Sequence, residues 1–235
     1  MRYAICFTPP PGDPLCHTGM QWLGRNSFSG EALDPPPVRG LDVHEIAFHT
    51  AVPRRYGFHG LLKAPFRLLE EADEPQLLRS LMRFAGSLEP FELQTLEIGR
   101  CGRSYSLLPA VPCADMDYLA AAVVQEFDRY RAPLTEAEIE RADPDGLSAA
   151  QFANLHRWGY PYVLEEFRFH MPLTGPIGPL DMPRFEPVLK SVFAGVLERP
   201  VIVANLALFA EEAKGGPFRV HSLHPLGKIG LRRRA

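Results

Sequence analysis

An α+β fold, with two pseudo-symmetric lobes that each carry an antiparallel sheet backed by helices and enclose one central cleft, is the architecture this sequence predicts. Three observations lead there. A short apolar and aromatic segment is written twice; each copy is followed by a helical pattern and then by strand patterns; and a helical stretch separates the two copies. The first copy is Tyr56-Gly57-Phe58-His59-Gly60-Leu61-Leu62-Lys63-Ala64-Pro65-Phe66 and the second is Phe167-Arg168-Phe169-His170-Met171-Pro172-Leu173-Thr174-Gly175-Pro176-Ile177. They agree on an aromatic residue three before the histidine, Phe one before, Leu three after, Pro six after and an apolar residue seven after.

Each copy is too short for a capped helix and ends at proline, so it reads as a buried strand. Side chains two apart in a strand share a face. On that rule Gly57, His59, Leu61 and Lys63 look one way in the first copy, and Arg168, His170, Pro172 and Thr174 in the second. A pseudo-twofold axis would then set the two imidazoles across one cleft.

The remaining elements follow in order. Arg2 to Phe7 is a β-favouring run stopped by Pro9-Pro10-Pro11-Gly12, and Leu15 to Leu23 reads as a short helix ended by Gly24. Asp34-Pro35-Pro36-Pro37 is a loop, and Leu41 to Phe48 has helical spacing leading through Pro53-Arg54-Arg55 into the first histidine strand. Pro75 to Phe84 is an amphipathic helix that starts near Asp73. Phe91 to Ile98 alternates apolar and polar, and with Ser104 to Leu108 it reads as a hairpin across Gly99 and Gly102. The stripe Tyr118, Leu119, Val123 and Phe127 marks a helix over Asp115 to Tyr130. Thr135-Glu136-Ala137-Glu138 opens another in capping style, and Ser148 to Trp158 reads as one more. After the second copy come a helix over Phe185 to Leu197, a strand over Val201 to Phe209, turn chemistry at Lys214-Gly215-Gly216-Pro217 and a strand over Phe218 to Leu223. The expected organisation is a single domain over 1–235, with repeat-bearing lobes at about 43–110 and 160–230 and a helical insert at about 113–158.

Composition narrows the function. Hydrophobic residues make up 46% of the 235, enough for a core of this size. The 25 basic against 28 acidic residues leave a net charge of -3, which excludes nonspecific nucleic-acid binding as the main activity, because that needs a basic surplus. Cys6, Cys16, Cys101 and Cys113 form no CxxC pair and read as buried apolar residues. With no signal-like start and no apolar run long enough to span a bilayer, the chain is expected to be cytoplasmic, without a membrane partner. His221 and His224 have HxxH spacing but no carboxylate or cysteine ligand follows nearby, so a structural or surface role is expected. Arg232-Arg233-Arg234 reads as a solvated tail, and Trp22 as a core residue.

At the paired histidines the sequence resembles the two-histidine (2H) phosphoesterase superfamily, whose mark is a duplicated His-x-Thr/Ser motif on facing strands. Within it, both copies together with Arg2-Tyr3-Ala4-Ile5, Phe7-Thr8-Pro9-Pro10 and Trp22-Leu23-Gly24-Arg25 are similar to the phosphonate metabolism protein branch (DUF1045-like). The resemblance covers essentially the whole chain. It implies a 2H phosphoesterase-like fold and hydrolysis of a small, commonly cyclic, phosphodiester by His59 and His170, with no metal and no cofactor. The partner would be a small phosphorylated substrate, cyclic or nucleotide-like. Two residues after each histidine, where the family usually carries a hydroxyl, this chain has Leu61 and Pro172, and neither side chain donates a hydrogen bond. The phosphate grip is therefore expected from Lys63, Arg168 and Thr174 with backbone N–H groups. Two rival readings follow: a catalytically impaired protein that binds a phosphorylated small molecule, and an RNA-end-processing enzyme, which would need a basic, aromatic-lined groove.

Overall fold

The computed structural model describes residues 1–227, so Arg232 to Arg234 lie outside the described residues. The chain runs β1 (Arg2–Phe7), α1 (Pro14–Leu23), α2 (Val43–His49), α3 (Ala51–Tyr56), β2 (Gly60–Phe66), α4 (Glu74–Gly86), β3 (Phe91–Leu93), β4 (Leu96–Cys101) and β5 (Ser104–Pro109). It continues with α5 (Ala114–Phe127), α6 (Glu136–Glu140), α7 (Ala149–Trp158), β6 (Met171–Pro172), α8 (Met182–Phe193), β7 (Val201–Val203), β8 (Asn205–Glu211) and β9 (Arg219–Pro225). This is an α+β fold with antiparallel sheets.

Local chemistry sets the element ends. Asp13 accepts from Leu15 N to open α1, and Gly24, at φ 72, closes it. Reciprocal capping boxes start α4 (Asp73 with Gln76), α6 (Thr135 with Glu138) and α7 (Ser148 with Gln151). The helix α3 extends across Pro53, where the sequence suggests a connection. Pro53 sits in its first turn, where backbone N–H groups have no intrahelical acceptor, so the missing donor is no loss.

Two expected strands are each divided. Phe91 to Ile98 becomes β3 and β4, which belong to different sheets, and Val201 to Phe209 becomes β7 and β8. Tyr118, expected on the buried stripe of α5, is exposed; Met116, Leu119, Ala120, Val123, Val124 and Phe127 form the buried face.

The sheets correct the expected lobes. A four-stranded sheet runs β2-β1-β8-β9, a three-stranded sheet β4-β5-β6 and a two-stranded ribbon β3-β7. Each histidine segment is thus the edge of a sheet completed by the other half of the chain: β2 joins the β8–β9 hairpin through β1, and β6 joins the β4–β5 hairpin. The contiguous blocks 43–110 and 160–230 are therefore not the sheet units. The two halves exchange hairpins, and one hydrophobic cluster, from Tyr3 and Phe58 to Phe169 and Leu208, runs through both sheets. Helix α5 lies against β2, α4 against β8 and β9, and α8 near β4.

The two edges approach each other at Gly60 and Phe169. A Cβ on Gly60 would lie 2.3 Å from Phe169 Cε2, so only glycine admits that ring. Gly60→Ala is expected to destabilise the fold by about 1–3 kcal/mol through overpacking, and Phe169→Leu in the same chain to recover part of the loss. Urea unfolding of the two single variants and the double variant checks this; strictly additive effects would contradict the contact.

Candidate functional site

His59 is set by the turn between α3 and β2. Gly57 leaves the helix at φ 85, and a Cβ there would meet Ser27 Oγ at 2.7 Å. Ser27 Oγ accepts from Phe58 N at 2.9 Å, Thr8 Oγ1 donates to Phe58 O at 2.8 Å, and the buried Arg25 donates to the carbonyls of Arg54, Arg55 and Phe218. These contacts fix the backbone on both sides of the histidine. His170 is fixed from the same stretch of chain, since Trp22 Nε1 donates to Leu173 O at 2.9 Å.

The rings are then oriented by one device used twice. His59 Nδ1 lies 2.8 Å from Gly57 O, and His170 Nδ1 lies 2.8 Å from Arg168 O. In both cases the partner is the carbonyl two residues earlier. A carbonyl only accepts, so each Nδ1 carries the proton and each neutral ring leaves Nε2 as a free base.

The two rings differ in surroundings. His59 is only 6% exposed, between Tyr56 at 6.1 Å and Phe209 at 5.6 Å between ring centroids, whereas His170 is half-buried on the wall of a cavity. Burial pushes the His59 pKa down to about 4, the Gly57 hydrogen bond pulls the other way, and His170 lowers it further. Their chain neighbours Gly60 and Phe169 touch, which brings the two histidine segments together.

The other expected site residues do not all join them. Lys63 is buried on the opposite side: its Nζ donates to Asp128 Oδ1 at 3.0 Å and approaches Val124 O at 3.4 Å on α5. The cause is a β-bulge. Cys6 pairs with Leu61 but the next residue back, Ile5, pairs with Lys63, so an extra residue on β2 reverses the alternation between Leu61 and Lys63. Leu61, like Tyr56 and Leu223, packs against the cluster of Cys6, Ala207 and Phe209 and reaches the cavity, while Lys63 shares the face of Ile5.

Thr174 also turns away. β6 is only two residues long, and beyond it Leu173 N and Thr174 N both donate to Tyr105 O while Thr174 Oγ1 accepts from Tyr105 N at 2.9 Å. Its hydroxyl latches the chain to β5. Arg168 stays near His170, exposed on the cavity wall, with Nη1 donating to the Glu165 and Phe167 carbonyls. Besides Cys101 and Gly102 at the β4–β5 turn, the cavity, about 510 Å³, adds Tyr160, Tyr162 and Glu166, which the repeat did not suggest. These three sit in a connection without periodicity, where sequence pattern carries no signal.

Elsewhere, His221 Nε2 lies 3.4 Å from Glu74 Oε1 and His224 Nε2 2.9 Å from Ser222 Oγ, and no group of three or more metal-ligating side chains occurs among the described residues. Cys6 and Cys16 are buried as expected; Cys101 is exposed and Cys113 only partly buried. Among the described residues no helix is long and apolar enough to cross a membrane.

Comparison with known proteins gives a family. The model described as "Protein of unknown function (DUF1045)" matches residues 61–219. The chain is 36% identical over 221 residues to the ribose 1,5-bisphosphate phosphokinase PhnN of Janthinobacterium sp. (strain Marseille), covering 92% of this chain and 49% of that protein. It is 34% identical over 220 residues to the same-named protein of Laribacter hongkongensis (strain HLHK9), covering 94% and 50%. The chain thus spans about half the length of the curated relatives it matches. Among solved structures it is similar to TT0787 of Thermus thermophilus (16% identity, 97% of this chain and 100% of that one, TM-score 0.45). It is also similar to E. coli LigT complexed with NADP+ (14%, 96% and 97%, TM-score 0.43). Likeness at that level carries no functional argument. The family match spans well over half of the residues and includes the second histidine segment, and on it the chain belongs to the DUF1045 family.

Proposed function

We propose that this protein is a phosphoesterase of the 2H type that opens a small cyclic phosphodiester by acid–base catalysis between His59 and His170. The observation that carries the reading is the repeated tether: two histidines from duplicated segments, each with Nδ1–H donated to the carbonyl two residues back at 2.8 Å, and each with Nε2 left free.

The chemistry follows from those two nitrogens. Hydrolysis needs a base to take a proton from the attacking water and an acid to protonate the departing oxygen. Burial keeps His59 neutral at physiological pH, which suits the base. As water oxygen bonds to phosphorus, its proton passes to His59 Nε2. The P–O ester bond breaks, and the leaving oxygen takes a proton from Nε2 of His170, which enters this step as the imidazolium, protonated on both nitrogens; proton exchange with solvent then returns His59 to its neutral and His170 to its charged form. One cyclic diester and one water give one phosphomonoester with a freed hydroxyl. Both proton transfers use imidazole, so this route draws on no metal.

The relatives that match over half their length carry the name ribose 1,5-bisphosphate phosphokinase. That name favours a ribosyl phosphate as the organic part of the substrate, in keeping with a role in phosphonate metabolism. A panel of ribose 1,2-cyclic phosphate and 2′,3′-cyclic nucleotides, assayed with EDTA present, tests the reading. Turnover of at least one is expected, lowered about 10²–10⁴-fold by His59→Ala and by His170→Ala. Turnover that survives both substitutions would overturn it, and binding without turnover would make the chain a phosphate-ester binder instead.

Lys63 provides the contrast. Lys63→Met is expected to lower stability by roughly 1–3 kcal/mol, because Asp128 loses one charged donor but keeps Arg131. It should leave kcat/KM nearly unchanged, measured by the same assay; a steep loss of kcat would return Lys63 to the phosphate.

A second consequence concerns acid. The folded pKa of His59, about 4, lies below its ordinary 6.5, so the unfolded chain binds more protons in that interval. Stability contributed by neutral His59 is complete above pH 6.5 and is lost as pH falls towards 4, by on the order of 3 kcal/mol. The buried His224, also lowered, adds in the same direction. Urea unfolding at a series of pH values should show a shallower slope in His59→Gln than in the parent; equal slopes would contradict the burial of a neutral ring.

A further inference from the structure

The strand positions that would carry hydroxyls for phosphate are Leu61 and Pro172, and the expected substitutes Lys63 and Thr174 are turned to Asp128 and Tyr105. An anionic phosphate between two imidazoles still needs donors for its nonbridging oxygens, where negative charge stays through the reaction. The cavity beside His170 supplies two. Leu61, Tyr160, Tyr162, Glu166 and Arg168 line it together with His170.

Of the seven tyrosines, three are committed to the core: Tyr3 donates its hydroxyl to Glu74 and Tyr105 to Met182 O, while Tyr130 is paired with Ser80. The hydroxyls of Tyr56, Tyr118, Tyr160 and Tyr162 bond to no protein group among the described residues, and of these four Tyr160 and Tyr162 line the cavity, their rings packed edge to face at 5.6 Å on the wall that holds His170. Glu166 bonds to neither hydroxyl; its Oε2 accepts from Gln151 Nε2 at 2.8 Å.

We propose that Tyr160 and Tyr162 are the phosphate-gripping hydroxyls of this protein, donating to the nonbridging oxygens in place of the side chains that Leu61 and Pro172 replace, with Arg168 at the rim adding positive charge. This rests on the phosphoesterase reading and assigns the donors of that same site. Tyr160 is suited to the task, because burial, with Tyr162 and Tyr56 nearby, pushes its pKa up to about 12 and keeps the hydroxyl protonated. Tyr56, one of the neighbours that raise the Tyr160 pKa, has its ring 6.1 Å from that of His59.

The test uses Tyr160→Phe, Tyr162→Phe and the double variant of the full chain, which keep the rings and remove only the oxygens. Isothermal titration with inorganic phosphate should show affinity falling about 10-fold or more in the double variant, since each lost bond joins a charged acceptor. Hydrolysis of 2′,3′-cyclic AMP should fall in parallel, thermal unfolding should be little changed, and Leu61→Thr added to the double variant should recover part of the loss. Phosphate affinity in the double variant within about twofold of the parent, or no phosphate binding by the parent, overturns the assignment. The two readings separate cleanly. A parent whose turnover depends on both histidines but not on the tyrosines sinks this inference alone. A parent that binds phosphate through the tyrosines yet hydrolyses no cyclic ester sinks the catalytic reading alone.

Discussion

A grip by residues 22–27 on both histidine segments is the constraint on which the site depends. Trp22 holds the Leu173 carbonyl beyond His170, while Arg25 and Ser27 hold the turn that delivers His59. The Gly60–Phe169 contact adds a direct approach of the two edge segments, which come from distant parts of the chain. Arg25 is an unusual choice for such a place. It is buried, it donates only to carbonyls, and burial followed by the nearby Arg219 and Arg54 lowers its pKa to about 10. Its donors close the end of α3, where carbonyls lack helical partners. The charge thus serves geometry: it locks the helix end whose next residue, Gly57, supplies the carbonyl that orients His59.

The exchange of hairpins explains how the two histidine segments become neighbours. In a chain whose halves folded as separate lobes, the facing edges would be held by packing alone. Here β8 and β9 complete the sheet of the first histidine, and β4 and β5 complete that of the second, so each half is built into the other. Backbone hydrogen bonds, directional and obligatory in the interior, then position both edges. The ribbon β3-β7 makes a third tie between the halves.

Much of this was legible in the residues. The repeat, its histidines, the first strand and most helix ends follow from local rules: Asp73 and Ser148 open helices because their side chains satisfy free N–H groups, and Gly24 closes one because it tolerates a left-handed backbone. What local rules missed was decided at long range. The bulge that turns Lys63 towards Asp128 is set by the register of β2 on β1, and no residue in Leu61-Leu62-Lys63 announces it. The exchanged hairpins have the same sequence pattern as unexchanged ones, since alternation fixes a face but not a partner. Tyr160 and Tyr162 lie in a connection, where function is carried without periodicity.

The site works only if two imidazoles, both protonated on Nδ1, present their Nε2 atoms to one phosphate. Long-range proton–nitrogen NMR of the histidine rings reads both parts at once, with and without inorganic phosphate. Nδ1–H tautomers are expected for neutral His59 and His170, together with Nε2 signals of both rings that shift over the same phosphate concentrations. An Nε2–H tautomer at either ring, or a shift confined to one of them, would contradict the shared phosphate.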